Sequence, residues 1–141
     1  MKPSVACEIR MGIDTIAAQL RRNYSESLRE LNLYVGQDNL LRRLWAGDGI
    51  TQMELSEWLK CEPPTVSNTV KSLEHNGFIY RQRDEHDGRI MRIFLTEKGK
   101  AVEESVNLKW KEHQETLLKS ISKEERLLLR DLIKRMEKNL E

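Results

Sequence analysis

Two neighbouring stretches carry the side chains best suited to chemistry. Within Pro63–Asn76, the residues Pro64, Thr65, Ser67, Asn68, Lys71 and Ser72 set hydroxyl, amide and ammonium groups close to a helix start. Such groups donate to phosphate oxygens and to base edges; Asn can pair in bidentate fashion with adenine, and Lys can donate to guanine or phosphate. Just downstream, Arg81, Arg83, Arg89 and Arg92 flank a polar run from Asp84 to Arg89. Arg89 follows Gly88 and suits a minor-groove or phosphate contact, and Asp87 is placed to hold its guanidinium. Asp84 and Glu85 would repel phosphate, so at least one of them is expected to pair with an arginine of the same hairpin. His75, His86 and His113 lie far apart and show no metal-ligand spacing, so no metal is expected. Cys7 and Cys61 are too few for a disulfide framework. No glycine-rich phosphate loop or nucleophile elbow is present. The chain therefore reads as a binding protein without a cofactor, not as an enzyme.

The elements that must position these groups follow from apolar spacing. From Gly12, Ile13, Ile16, Ala17, Leu20, Tyr24, Leu28 and Leu31 recur three or four apart and predict a long helix. Gln37–Ala46 repeats the pattern, and Gly47-Asp48-Gly49 closes it with a turn. Thr51 and Glu54 form a capping box for a short helix. Lys60-Cys61-Glu62 is a tight connector, and a buried, inert thiol is the plain reading of Cys61. Pro63 and Pro64 suit a first helical turn, where the missing N–H costs nothing. Val66, Val70 and Leu73 mark the buried stripe of that helix, with Pro64, Asn68, Lys71 and His75 opposite. Gly77 suits a left-handed cap. Phe78–Arg83 and Ile90–Leu95 read as a β-hairpin. Thr96 caps a further helix with Val102, Val106, Trp110, Leu117 and Ile121 on one face. Ser122 and Glu125 form a second capping box before a final helix.

Helix, turn, helix and hairpin in that order make a winged helix-turn-helix, whose second helix enters the DNA major groove. The fold class is thus mostly α with a small β-wing (α+β), with helices added at both ends. Composition is silent on the ligand. The 141 residues hold 24 Lys and Arg against 23 Asp and Glu, a formal charge of +1. Residues 37–100 balance at 10 basic and 10 acidic, whereas a DNA-binding domain is commonly basic. Any positive surface must come from arrangement. Charged residues at 33% and hydrophobic ones at 38% fit a soluble globular chain. No apolar run reaches the roughly 18 residues of a membrane span. No secretory signal core is seen in the first eleven residues, so a reduced, cytoplasmic setting without a membrane partner is expected.

The run Leu55-Ser56 … Thr65-Val66-Ser67 … Leu73-Glu74-His75-Asn76-Gly77-Phe78-Ile79 … Arg83-Asp84-Glu85-His86-Asp87-Gly88-Arg89 … Leu95-Thr96-Glu97-Lys98-Gly99 resembles the MarR family of bacterial transcriptional regulators. The likeness spans roughly residues 10–140, and its hairpin-to-Gly99 part is the most specific. Ser56 departs from it, standing where alanine is common. The resemblance implies a homodimer. Residues 37–96 would form the DNA-binding lobe, and residues 1–36 with 97–141 the dimerisation helices. Pro63–Asn76 would be the recognition helix and Asp84–Arg89 the wing tip, with Asp87 and Arg89 matching the family's wing acid and arginine. It further implies a repressor released by a small effector, often phenolic, or by oxidation.

The terminal helices agree, since a small winged unit has little surface left to bury three amphipathic faces. Two recognition helices on one dimer require half-sites about one turn, roughly 34 Å, apart on a pseudo-palindromic duplex. Tyr34, Trp45, Trp110 and His113 are candidate walls of a pocket for a small aromatic or phenolic effector, and each fits plain core equally. Cys7 is the candidate redox residue. A peroxide-sensing cysteine of one branch of the family would fall near Arg10, about a turn away. A winged helix used for protein–protein contact is the rival reading, favoured by the neutral charge count.

Overall fold

The computed structural model describes residues 2–141. Its elements are α1 (Val5–Arg29), α2 (Gln37–Ala46), β1 (Ile50–Thr51), α3 (Gln52–Leu59), α4 (Pro63–His75), β2 (Ile79–Arg83), β3 (Met91–Leu95), α5 (Glu97–Ala101), α6 (Glu103–Leu117) and α7 (Lys123–Asn139). They fall into two units, Met1–Lys109 and Trp110–Glu141. No helix among the described residues is long and apolar enough to cross a membrane.

In the first unit, α1 starts seven residues before the expected Gly12. Ser4 explains the difference: its hydroxyl accepts from the Cys7 N–H at 3.1 Å, and Glu8 lies in the first turn. Both features favour a helix N-terminus. The helix ends at Arg29, and the chain turns just beyond it at Asn32, which takes up a left-handed φ of 60°. Only its C-terminal end, through Tyr24 and Leu28, enters the core. Residues from Val5 to Gln19 are exposed apart from a half-covered Gly12.

The core sits where α2, α3 and α4 cover one face of a small antiparallel sheet of order β1-β3-β2. Leu40, Leu44, Leu55, Val66, Val70, Leu73, Phe78 and Ile93 are all fully buried in it. The stripe read from spacing on α4 is therefore the buried one. The hairpin register runs from Ile79 opposite Leu95 to Arg83 opposite Met91. β1, absent from the sequence reading, pairs Ile50 with Ile93 and Thr51 with Arg92. Two residues have no period to detect.

Three local features differ from expectation in detail. The Thr51 hydroxyl accepts from the Glu54 N–H at 3.1 Å, but no returning bond from the Thr51 N–H to the Glu54 carboxylate is seen among the described residues. Thr51 already belongs to β1. Asn76 is the C-cap of α4, not its last helical residue, while Gly77 has the expected left-handed φ of 81°. The helix after Thr96 is broken at Val102 into α5 and α6.

Gly99 explains itself on steric grounds. A Cβ there would lie 2.0 Å from the Phe78 carbonyl oxygen. That backbone approach lets α5 dock under the hairpin, and the Trp45 indole N–H donates to the Gly99 carbonyl at 2.8 Å.

The second unit holds the C-terminal part of α6 and the whole of α7. Ser122 and Glu125 form the full reciprocal capping box. The Arg126 guanidinium donates to the carbonyls of Ile121 and Leu118, tying off the preceding turn. Leu127, Leu128, Leu132 and Ile133 of α7, and its C-cap Leu140, remain exposed.

Candidate nucleic-acid interface

α3 and α4 are joined by a three-residue connector whose first member, Lys60, is left-handed at φ 55°. The Cys61 N–H closes back on the Ser56 carbonyl at 3.3 Å. This turn leaves Cys61 exposed, correcting the expectation of a buried thiol. Its Sγ lies 3.4 Å from the Leu59 carbonyl oxygen. The half-buried Ser56 donates to the Gln52 carbonyl at 3.1 Å, so a small hydroxyl fits where alanine was expected.

Pro63 and Pro64 open α4, and the Thr65 and Val66 N–H groups return to the Glu62 carbonyl. Pro64, Thr65, Asn68, Lys71 and His75 are exposed on one side of the helix. Ser67 is half-buried on its shoulder. Ser72 is different: its hydroxyl accepts from the Gln37 side-chain amide at 2.9 Å. Gln37 is only 6% exposed. Its other amide atom accepts from the Tyr34 N–H at 2.9 Å. Ser72 thus ties the helix to α2 and to the turn after α1. Asp38, next in sequence and 3% exposed, accepts from the Tyr24 hydroxyl at 3.1 Å and from the Gly36 N–H at 3.0 Å. Burial, with the Asp38 charge beside it, pushes the Tyr24 phenol up. These polar bonds fix α4 against the end of α1.

The wing arginines divide by function. Arg81 donates twice to the Glu74 carboxylate, at 3.2 and 3.0 Å, and so staples β2 to α4. Arg83 donates to the Gly88 carbonyl at 2.6 Å, closing the base of the tip. Arg89 extends from the tip with its side chain 91% exposed. Even so it is held, because Nε and Nη2 each meet one Asp87 oxygen at 3.0 and 3.1 Å. The Arg89 guanidinium holds the Asp87 carboxyl below the usual carboxylate range, and Asp87 raises Arg89 in turn. Asp84 pairs with Arg92 at 2.7 Å, as the pairing argument required. Glu85 is exposed. Arg92 and Asp84 were not among the expected contact residues. Alternation along β3 places Arg92 beside Asp84 only once the hairpin register is known.

Two of the candidates for an effector wall, Tyr34 and Trp45, line separate cavities of the first unit. Tyr34 lines a cavity of about 370 Å³ with Arg29, Asn32, Leu33, Asn76 and Lys98. Trp45 instead lines a separate groove beside Leu44, Gly47 and Asp48, because its indole is turned toward Gly99. Trp110 and His113 belong to the second unit. Cys7 is exposed in the first turn of α1, its sulfur 3.7 Å from that of Met11. No cluster of His, Cys, Asp or Glu able to hold a metal ion occurs among the described residues.

Comparison with known proteins gives the same picture. The family model described as MarR family matches residues 33–91. The HTH-type transcriptional regulator YybA of Bacillus subtilis (strain 168) is 32% identical over 134 residues, covering 95% of this chain and 89% of that protein. The crystal structure of the transcriptional regulator SlyA is 35% identical with a TM-score of 0.77, covering 94% of this chain and 93% of its own. Staphylococcus aureus MepR, solved in complex with DNA, is 27% identical with a TM-score of 0.79, covering 98% of this chain and 99% of its own. A winged unit of this geometry, matched in sequence and fold along nearly its whole length, makes the chain a member of the MarR family of transcriptional regulators, not an enzyme.

Proposed function

We propose that the protein is a homodimeric, sequence-specific DNA-binding repressor released by a small-molecule effector. One observation carries the DNA reading. The exposed polar face of α4 stands beside a hairpin whose tip arginine extends outward while two carboxylate oxygens hold its direction. Thr65, Ser67, Asn68 and Lys71 are assigned to base edges and phosphates, with Pro64 at the helix entry. Arg89, oriented by Asp87, is assigned to the minor groove or to phosphate. Arg81, Arg83 and Ser72 are occupied within the fold and serve to hold it. The MepR neighbour bound to DNA supports this reading.

Residues 37–96 form the DNA-binding lobe in this reading, and residues 1–36 with 97–141 the dimerisation helices. The exposed stretch of α1 supports the dimer. A helix without burial is marginal in water at about 12–15 residues, and Val5, Ile9, Ile13 and Ile16 lie exposed along it. The exposed leucines of α7 support it too. The effector is assigned to the Tyr34 cavity, whose volume falls within the about 300–1,000 Å³ of ligand pockets. Arg29 and Lys98 suit a planar anion there.

The test uses a duplex recovered by selection from a random DNA pool. Affinity should fall by about 0.9 log units per phosphate for each log unit of salt. Arg89→Ala should weaken binding and lower that slope by about one phosphate. A shallow slope, unchanged by Arg89→Ala, would favour a winged helix used for protein contact. A panel of phenolic carboxylates should lower affinity for that duplex in the wild type and not in Lys98→Glu. No response from any compound would remove the effector assignment and leave the DNA reading intact.

A further inference from the structure

Arg89 does not stand alone at the wing tip. An unbroken chain of hydrogen bonds runs from β1 to its guanidinium. The Arg92 Nη1 donates to the Gly49 carbonyl at 2.9 Å, just before β1. The Arg92 Nε donates to Asp84 Oδ1 at 2.7 Å. Asp84 Oδ2 accepts from the N–H groups of both His86 and Asp87 at 3.0 Å. Asp87 then accepts from the Arg89 backbone N–H at 3.1 Å and from its guanidinium.

The chain has one rigid end and one exposed end. Gly49 is fixed by its own N–H, which donates to the Ile93 carbonyl at 2.7 Å. Its left-handed φ of 80° sets it against the Phe94 ring. Asp84 has a side chain only 17% exposed. Arg89 is at the opposite limit of exposure. A planar guanidinium can serve Asp84 and the Gly49 carbonyl together because its donors point in fixed directions. Such a link suits holding a functional side chain in place more than stabilising a domain, since surface ion pairs contribute little to stability.

We infer that Asp84 and Arg92 are positioning residues for DNA binding, a latch that fixes the wing tip to β1 and so aims Arg89. This rests on the assignment of Arg89 to DNA made above. The latch acts through backbone: the Asp84 carboxylate sets the two N–H groups that shape the tip, and the tip sets Asp87. Asp84→Asn keeps an acceptor for those N–H groups but loses the charge that Arg92 holds. Asp84→Ala loses both. Arg92→Lys keeps the charge but cannot reach two partners as a fork.

The experiment is a double-mutant cycle on the selected duplex, with thermal melting and amide exchange alongside. Coupled residues show a non-additive cycle. Asp84→Ala is expected to weaken binding about tenfold, and Asp84→Asn and Arg92→Lys less. In an Arg89→Ala background Asp84→Ala should cost nothing more. Amide exchange at His86 and Asp87 should quicken in Asp84→Ala while the rest of the protein stays protected. An equal loss with and without Arg89 would overturn the inference, showing a general structural role. So would an unchanged affinity in Asp84→Ala where Arg89→Ala weakens binding. If Arg89→Ala itself changes nothing, the wing assignment fails first, and the inference with it.

Discussion

Arg89 reaches outward and is restrained at once, and that pairing decides how it would serve DNA. A long side chain loses freedom when it binds, and one already held by both Asp87 oxygens loses less on contact. Replacing Asp87 with Ala should therefore slow association less than it hastens dissociation, measured by stopped-flow on the selected duplex. Asn68 and Lys71 belong to a different test. Either change to Ala should relax base preference in a repeated selection, whereas Arg89→Ala should weaken all sequences alike. The sequence displayed part of this directly. Asp87 and Arg89 lie two apart around a glycine, and the exposed face of α4 follows from 100° per residue. It could not display the partners of Arg81, Ser72 and Arg92. Glu74 lies 7 residues from Arg81 across a turn. Gln37 lies 35 residues from Ser72, and Gly49 43 from Arg92. Those pairings exist only after the fold has closed.

At the scale of elements, the hairpin, α4 and α5 are locked by a few specific contacts. Gly99 allows the closest of them. Gly99→Ala would set a methyl 2.0 Å from the Phe78 carbonyl, and overpacking of this kind costs about 1–3 kcal/mol. A lowered thermal midpoint with unchanged secondary structure is expected. Acid acts on the wing. Arg92 first, then the His86 and Asp87 N–H groups, hold Asp84 below its ordinary value. Arg89 does the same for Asp87. A depressed carboxyl contributes stability above its unfolded pKa, about 3.9, and loses it as pH falls through the folded value. Thermal midpoints should therefore drop as pH falls below about 4, and Asp84→Asn should flatten part of that drop. An identical pH profile in the variant would contradict the assignment. Long periodic elements were legible, and short ones were not. α2 was read to the residue, because ten residues show three turns of pattern. β1, with two residues, shows none. The start of α1 lies seven residues before Gly12, where Val5 and Ile9 continue the spacing of Ile13 and Ile16 and where Ser4 and Glu8 mark the helix N-terminus.

On the scale of the whole molecule, apolar surface decides the state. α1 exposes Val5, Ile9, Ile13 and Ile16, and α7 exposes Leu127, Leu128, Leu132 and Ile133. Patches of that kind on soluble chains mark interaction sites. Ile9→Asp with Ile13→Asp should turn a dimer into a monomer in sedimentation, with loss of α1 helicity and of DNA affinity together. Net charge gave no hint of a nucleic-acid ligand, because +1 over the chain hides one arginine extended at the tip and others folded into internal pairs. DNA recognition by the dimer is tested by selection from a random duplex pool at two salt concentrations. A dimeric DNA-binding regulator should enrich an inverted repeat, its half-sites about one helical turn apart at roughly 34 Å, with enrichment falling steeply at the higher salt. A pool that stays random at both concentrations, for reduced and dimeric protein, would contradict it.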